Sequence, residues 1–306
     1  MAVKVPAYLK KGSTIGIVCP SGYMAFEKAQ ECIRVLQEEW GFKVKIGTTL
    51  GSSSETYFSG TDEERLADLQ MMLDDDDVDA VLFGRGGYGM SHIIDRINFK
   101  KFKRKPKWVV GFSDITLFHL HVLNTVKVSS LHAPMAAAFN NDGYKNPYVL
   151  SLFAALKGRK AKYHTAAHHL NQLGEATAPI TGGNLALVVH SIGTPSEIDT
   201  KNKILFLEDI GEQKYSIDRM MWQLKRGEKL KDLKALIIGK FTDIADTERP
   251  FGADLYATIF NLVKEYNYPV CFDFPISHDP ENYAIKMGFQ YKLSIQKTKV
   301  VLQEIS

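Results

Sequence analysis

The chain has little cysteine, little net charge and no long apolar run. Its three cysteines, Cys19, Cys32 and Cys271, stand far apart among 306 residues. They offer neither a disulfide framework nor the paired spacing of a metal site, so a reducing cytoplasm is the expected location. No apolar stretch reaches the roughly eighteen residues that a membrane-crossing helix needs. The early lysines are not followed by an unbroken apolar core and a small-residue cleavage site, so no signal peptide is expected. Lys and Arg outnumber Asp and Glu by only 38 to 35. The densest basic stretch, Lys100 to Lys105, falls between an expected helix and strand and reads as a solvated loop, not a nucleic-acid surface. The acidic run Asp74 to Asp77 likewise reads as a solvated turn. Internal repeats and low-complexity segments are absent.

What is present suits a globular protein. The chain is 45% hydrophobic and 24% charged, enough to bury a sizeable core in one or two domains. Thr14 to Val18 reads as a buried strand that ends in the turn Cys19-Pro20-Ser21-Gly22. Residues 25–40 show helical spacing that stops at Gly41, and 42–46 alternate as a strand. Thr61 with Glu64 forms a capping box for a helix to Leu73. Val78 to Phe83 is the next strand and runs into Gly84-Arg85-Gly86-Gly87-Tyr88-Gly89. A helix over 90–97 precedes the strand that ends at Ser113. Strands alternating with helices predict a parallel α/β sheet. Its ligand site belongs beyond the carboxyl ends of the strands, so the three unusual turns should share one edge.

A second domain is expected after a polar connection. It would carry strands at 203–209 and 235–239, helices at 215–226 and 254–265, and alternating strands near 285–304. The boundaries read 1–160, a linker over 161–178, and 179–306.

Ser113 is the most informative residue. The run Trp108-Val109-Val110-Gly111-Phe112-Ser113-Asp114-Ile115 delivers a serine on a sharp strand-to-helix turn, where a base can reach its hydroxyl. Ile115 replaces the final glycine of the usual elbow, and the plainer reading is a helix cap. Nine histidines compete for the role of base. His119 and His121 are two apart on one helix and face different ways. His168 and His169 fall in the linker, His190 reads as a core residue, and His132 as a cleft-lining one. His278 stands in the turn-rich Phe274-Pro275-Ile276-Ser277-His278-Asp279-Pro280. Glu208 ends the strongest strand of the second domain, so the chain order is Ser, acid, His. The glycine run does not fit a dinucleotide fingerprint or a P-loop. It can cradle a phosphate or present bare amides to a reacting carbonyl.

Together these pieces resemble the L,D-carboxypeptidase family of serine peptidases, which includes the microcin C immunity proteins. The resemblance spans nearly the whole chain. It runs through Gly16 to Gly22, Arg85 to Gly89, Gly111 to Thr116, His132 to Met135, Gly182 to Leu185, Leu207 to Asp209, and Ser277-His278. Ser277 departs from the glycine that often precedes the family's histidine. The resemblance implies a flavodoxin-like N-terminal domain, akin to class I glutamine amidotransferases, and a smaller β-rich C-terminal domain. It implies Ser113 as nucleophile, His278 as base and acid, and Glu208 as orienting carboxylate. The amides of Asp114 and of Gly87, or its neighbour Gly86, would form the oxyanion hole, with Arg85 and Gly86 meeting substrate. No cofactor, metal, nucleic acid or membrane is expected, and a homodimer is. The expected reaction releases D-alanine from murein tetrapeptides. Three alternatives are an immunity-type hydrolase of acyl-adenylates or acyl-phosphoramidates, a non-catalytic small-molecule binder, and a cysteine amidase built on Cys19.

Overall fold

The computed structural model describes residues 3–305, which fall into two units. One covers residues up to Arg159 together with Tyr283–Met287; the other covers Lys160–Asn282 and residues from Gly288 onward.

The first unit is built on β1 (Thr14–Val18), β2 (Lys43–Ile46), β3 (Ala80–Phe83), β4 (Trp108–Gly111) and β5 (Leu131–His132). They pair in parallel in the order β2-β1-β3-β4-β5. This is the flavodoxin-like doubly wound order. Every residue of β3 and β4 is buried, as parallel strands with covered faces require. β1, β3 and β4 are neighbours and parallel, so their three terminal turns do share one edge.

Helices connect these strands. The run expected over 25–40 is helical in three parts, with α1 (Gln30–Arg34) between a 3₁₀ turn and a π turn. α2 (Asp62–Asp74) has the expected capping box: Thr61 Oγ1 accepts from Glu64 N at 3.2 Å, and Glu64 Oε2 accepts from Thr61 N at 2.8 Å. α3 (Met90–Ile93) follows the glycine loop. The basic stretch, expected as a loop, is instead the short helix α4 (Lys100–Arg104). Phe102 supplies the reason, because it is fully buried while the basic residues beside it stay exposed. α5 (Thr116–His121) continues the turn that begins at Ser113. α6 (Pro147–Leu156) starts at Asn146, whose Oδ1 accepts from Val149 N at 2.8 Å.

The second unit holds β6 (Lys162–Ala166), β7 (Gly174–Asn184), β8 (Ile204–Ile210), β9 (Ala235–Thr242) and β10 (Val270–Phe274). The stretch 161–178, expected as a linker, is therefore mostly strand. Next comes β11 (Ile285–Lys286), which pairs antiparallel with β5 and so belongs to the first unit's sheet. The run expected as one set of strands over 285–304 is thus divided. β12 (Gln290–Ile295) and β13 (Lys299–Glu304) return to the second sheet. Its order is β10-β9-β8-β7-β12-β13-β6. β7 to β10 pair in parallel and the remainder antiparallel. α7 (Leu185–His190), α8 (Lys214–Arg226) and α9 (Leu255–Val263) complete this unit.

Candidate active site

Ser113 is separated from the end of β4 by Phe112 alone and has φ 64°. A side chain other than glycine in this left-handed region is strained by its own Cβ. Such strain persists where the surroundings hold it, typically at functional turns. Here Gly111 is boxed in: a Cβ there would meet Ile115 Cγ1 and Phe83 Cδ2, each at 3.0 Å. The turn then runs straight into α5, whose first amides lack partners within the helix.

The glycine loop lies against this turn. A Cβ on Gly86 would come within 2.9 Å of Ser113 Cβ, 3.1 Å of Ser113 Oγ and 3.4 Å of Asp114 N. Only a bare backbone fits so close to the hydroxyl. The Gly86 carbonyl accepts from Gly22 N at 3.0 Å. The peptide is trans, so the Gly87 N–H points away from that carbonyl. Gly87 itself has φ 94°.

Asp114 locks these pieces together. Its carboxylate is buried, and Oδ2 accepts from Ser21 Oγ at 2.6 Å and from Met90 N at 2.8 Å. One side chain thus ties the Ser113 turn to the turn after β1 and to the end of the glycine loop. Arg65, also fully buried, donates to the carbonyls of Pro20 and Gly89 and pairs with Asp62. Neither tie was read from the sequence. Ser21 was visible only as a turn residue, and Arg65 stood on the polar-looking start of α2.

The second unit brings Glu208 and His278 together. His278 Nδ1 lies 2.6 Å from Glu208 Oε2, and the two side chains are 11% and 0% exposed. The β8–β9 register shifts between Leu207 and Asp209, so that the single residue Glu208 faces two residues of a bulged β9, Gly239 and Lys240. Gly239 on β9 leaves room for it, since a Cβ there would stand 3.2 Å from Glu208 Cβ. Burial is the largest single influence on His278 and disfavours its charge. Glu208, Asp209 and Asp279 together outweigh it and hold the imidazole above the ordinary histidine range. Ser277 is buried, and its Oγ accepts from Asp279 N at 3.0 Å and donates to the Glu281 carbonyl at 3.0 Å. Its side chain organises the histidine loop where a glycine would leave it loose.

Asp209, beside Glu208, is pushed up to about 6 by burial first and then by its neighbour's charge. Opposing hydrogen bonds come from Ile210 N at 2.9 Å, Asn184 Nδ2 at 2.7 Å and Ala186 N at 3.0 Å. The Gly182-Gly183-Asn184 segment therefore positions the acidic strand end, a role that its sequence did not disclose.

Other candidates have structural places. His119 is fully buried, with Nε2 2.8 Å from the Gly111 carbonyl and Nδ1 2.8 Å from Ser130 Oγ. His132 is buried in β5 and is not a cleft residue, and His190 is exposed at the end of α7 and is not a core residue. The Cys19 thiol is pushed up to about 12, chiefly by burial, which removes it as a nucleophile. Arg85 is exposed and donates from Nη1 to the Tyr23 carbonyl at 2.7 Å. Among the described residues, no cluster of three or more His, Cys, Asp or Glu is placed to hold a metal. No helix among them is long and apolar enough to cross a membrane.

A strained serine against a glycine loop, on a flavodoxin-like sheet, joined in one chain to a buried His–Glu pair, defines a two-domain α/β hydrolase. The chain belongs to the LD-carboxypeptidase family: residues 15–133 match its N-terminal domain and 177–293 its C-terminal domain. It is a serine carboxypeptidase by class. A probable murein peptide carboxypeptidase of Bacillus subtilis is 33% identical over 98% of this chain and 95% of its own. The murein tetrapeptide carboxypeptidase of Pseudomonas aeruginosa is 27% identical over 90% and 91%. The crystal structure of muramoyltetrapeptide carboxypeptidase from Oxalobacter formigenes superposes with TM-score 0.86 at 26% identity, covering 96% of this chain and 99% of that one. The microcin C7 self immunity protein MccF, at 18% identity and TM-score 0.81, shares the fold.

Proposed function

We propose that the protein removes the terminal D-alanine from muramoyl tetrapeptides through a Ser113–His278–Glu208 triad. The observation that carries this reading is the buried 2.6 Å bond between His278 Nδ1 and Glu208 Oε2. A carboxylate on Nδ1 fixes the tautomer whose Nε2 accepts a proton, the role of a general base. The names of the Oxalobacter and Pseudomonas relatives support the substrate.

In this reading His278 takes the Ser113 proton as Oγ attacks the carbonyl between the L-centre and D-alanine. The amides of Asp114 and Gly87 stabilise the oxyanion; the packing of Gly86 on Ser113 and the direction of the Gly87 N–H support that assignment. His278 then protonates the leaving amine, D-alanine departs, and water attacks the acyl-enzyme by the same route in reverse. A carboxypeptidase must also recognise a free carboxylate. Arg85 suits this role, because one N–H holds Tyr23 and the rest of its planar fork offers further donors.

The test is incubation of the purified protein with muramoyl tetrapeptide, with released D-alanine followed by mass spectrometry. Release is expected, and Ser113→Ala and His278→Ala should lower it by several orders of magnitude. No release by folded enzyme would overturn the substrate. Full activity in Ser113→Ala would overturn the triad.

A further inference from the structure

Gly84, Gly86, Gly87 and Gly89 give the segment after β3 much freedom to lose, since glycine gives up more backbone entropy on ordering than any other residue. Parts of it are held. Gly84 N donates to the Val18 carbonyl at 2.9 Å, Gly22 N to the Gly86 carbonyl at 3.0 Å, and Arg65 Nη1 to the Gly89 carbonyl at 3.1 Å. Between the last two holds, Gly87 has φ 94° and Gly89 φ 143°, conformations that other residues rarely adopt. Tyr88 therefore sits between two glycine swivels. Among the described residues, neither Gly87 nor Tyr88 makes a backbone hydrogen bond. The Tyr88 side chain is left to fix the direction of this stretch.

Tyr88 is 49% exposed, yet its hydroxyl oxygen lies 3.1 Å from His92 Nε2. His92 Nδ1 in turn lies 3.2 Å from Asp62 Oδ1. Burial works against the charge of Asp62, but His92 and Arg65 outweigh it and hold its carboxyl below the ordinary range. An ionised carboxylate only accepts, so Nδ1 carries the proton of the neutral imidazole and Nε2 accepts from the Tyr88 hydroxyl. Asp62 is fixed by the fully buried Arg65, whose guanidinium stands 4.9 Å from the Phe58 ring centroid. The Phe58 ring packs on His92 at 5.5 Å and on Tyr88 at 6.2 Å. A Cβ on Gly87 would meet the Tyr57 hydroxyl at 2.8 Å, so the same aromatic cluster limits the loop at Gly87 itself. We propose that His92, oriented by Asp62, is a positioning residue for the reaction: by holding the Tyr88 hydroxyl it fixes the stretch between the two swivels and so aims the Gly87 N–H. The inference rests on the assignment of that amide to the oxyanion hole.

Two readouts on the whole protein test it. Tyr88→Phe removes only the hydroxyl, and His92→Ala removes its acceptor. ¹⁵N relaxation first follows the amides of Gly87 and Gly89. Their order parameters should lie near about 0.85 in wild type, as in rigid backbone, and fall toward about 0.6 in either variant. Kinetics on muramoyl tetrapeptide come second. Each variant should lose about tenfold in kcat with KM within about twofold, as a misaimed transition-state donor would give. The two losses should not add in the double variant, because both break one tie. Unchanged order parameters in both variants overturn the proposal. A lower melting temperature with rigid amides and full kcat marks a merely structural contact and overturns it as well. Loosened amides with unchanged kcat remove Gly87 from the oxyanion hole, and with it the part of His92 in the reaction. If wild type cleaves nothing, the substrate reading fails, and the order parameters still decide whether His92 anchors the loop.

Discussion

Gly86 and Ser113 are packed so tightly that a single methyl on Gly86 would lie 2.9 Å from the serine Cβ. Gly86→Ala therefore forces the glycine loop away from the serine. Overpacking of this kind costs about 1–3 kcal/mol. Displacement of one oxyanion donor costs about 10²–10³ in kcat. The expected result is a fall in kcat of that order with a much smaller change in KM. Steady-state kinetics beside a thermal melt will show it, and unchanged kcat in a folded variant would remove the loop from the oxyanion hole.

Asp114 holds that arrangement from behind. Asp114→Ala leaves Ser21 Oγ and Met90 N without their acceptor, and each orphaned buried donor costs about 1–3 kcal/mol. Asp114→Asn keeps one acceptor oxygen in nearly the same place. Both stability and kcat should therefore fall in the order wild type, Asn, Ala. Urea denaturation and kinetics on the same three proteins check this. A purely structural carboxylate would lower stability in that order while leaving kcat flat.

His278 must be neutral to act as a base, and its neighbours raise its pKa in the fold. The acid limb of kcat/KM should then lie above the ordinary histidine value of about 6.5. Glu208→Gln removes the strongest of the raising influences. It should shift that limb toward lower pH and also reduce the rate, since the imidazole loses its orienting charge. A pH–rate profile of both enzymes decides the matter; an unmoved acid limb in the variant would mean that another group sets it.

Much of the fold was legible because its signals are local. Buried runs such as Val109-Val110 mark parallel strands, Thr61 and Glu64 mark a helix start, and Gly41, with φ 71°, marks a helix end. The ties that set the site were not legible, because they join distant residues. Ser21 and Asp114 are 93 positions apart, and Asn184 and Asp209 are 25. The 161–178 stretch misled for a related reason. β6 alternates exposed and buried residues beside polar turns, so it reads as a loop until β13 pairs with it. Phe102 misled in the opposite sense: one aromatic among five basic residues was enough to anchor a helix.

His119 gives a prediction about stability instead of rate. The Gly111 carbonyl can only accept, so Nε2 carries the proton and Nδ1 accepts from Ser130. Burial pushes this imidazole down to about 4, with the Gly111 bond opposing in part. The unfolded chain binds the proton at about pH 6.5, and the fold resists it until about pH 4. The stabilising contribution is therefore complete above pH 6.5 and is lost as pH falls through that window, by about 3 kcal/mol in all. His278 acts in the opposite sense, since its raised pKa stabilises the fold most below the unfolded value, and so it adds no acid loss here. His119→Gln retains a donor for Gly111 and removes the titration. Urea midpoints between pH 7 and pH 4 should fall more steeply in wild type than in the variant. Parallel curves would show that the buried imidazole takes up its proton at no cost to the fold.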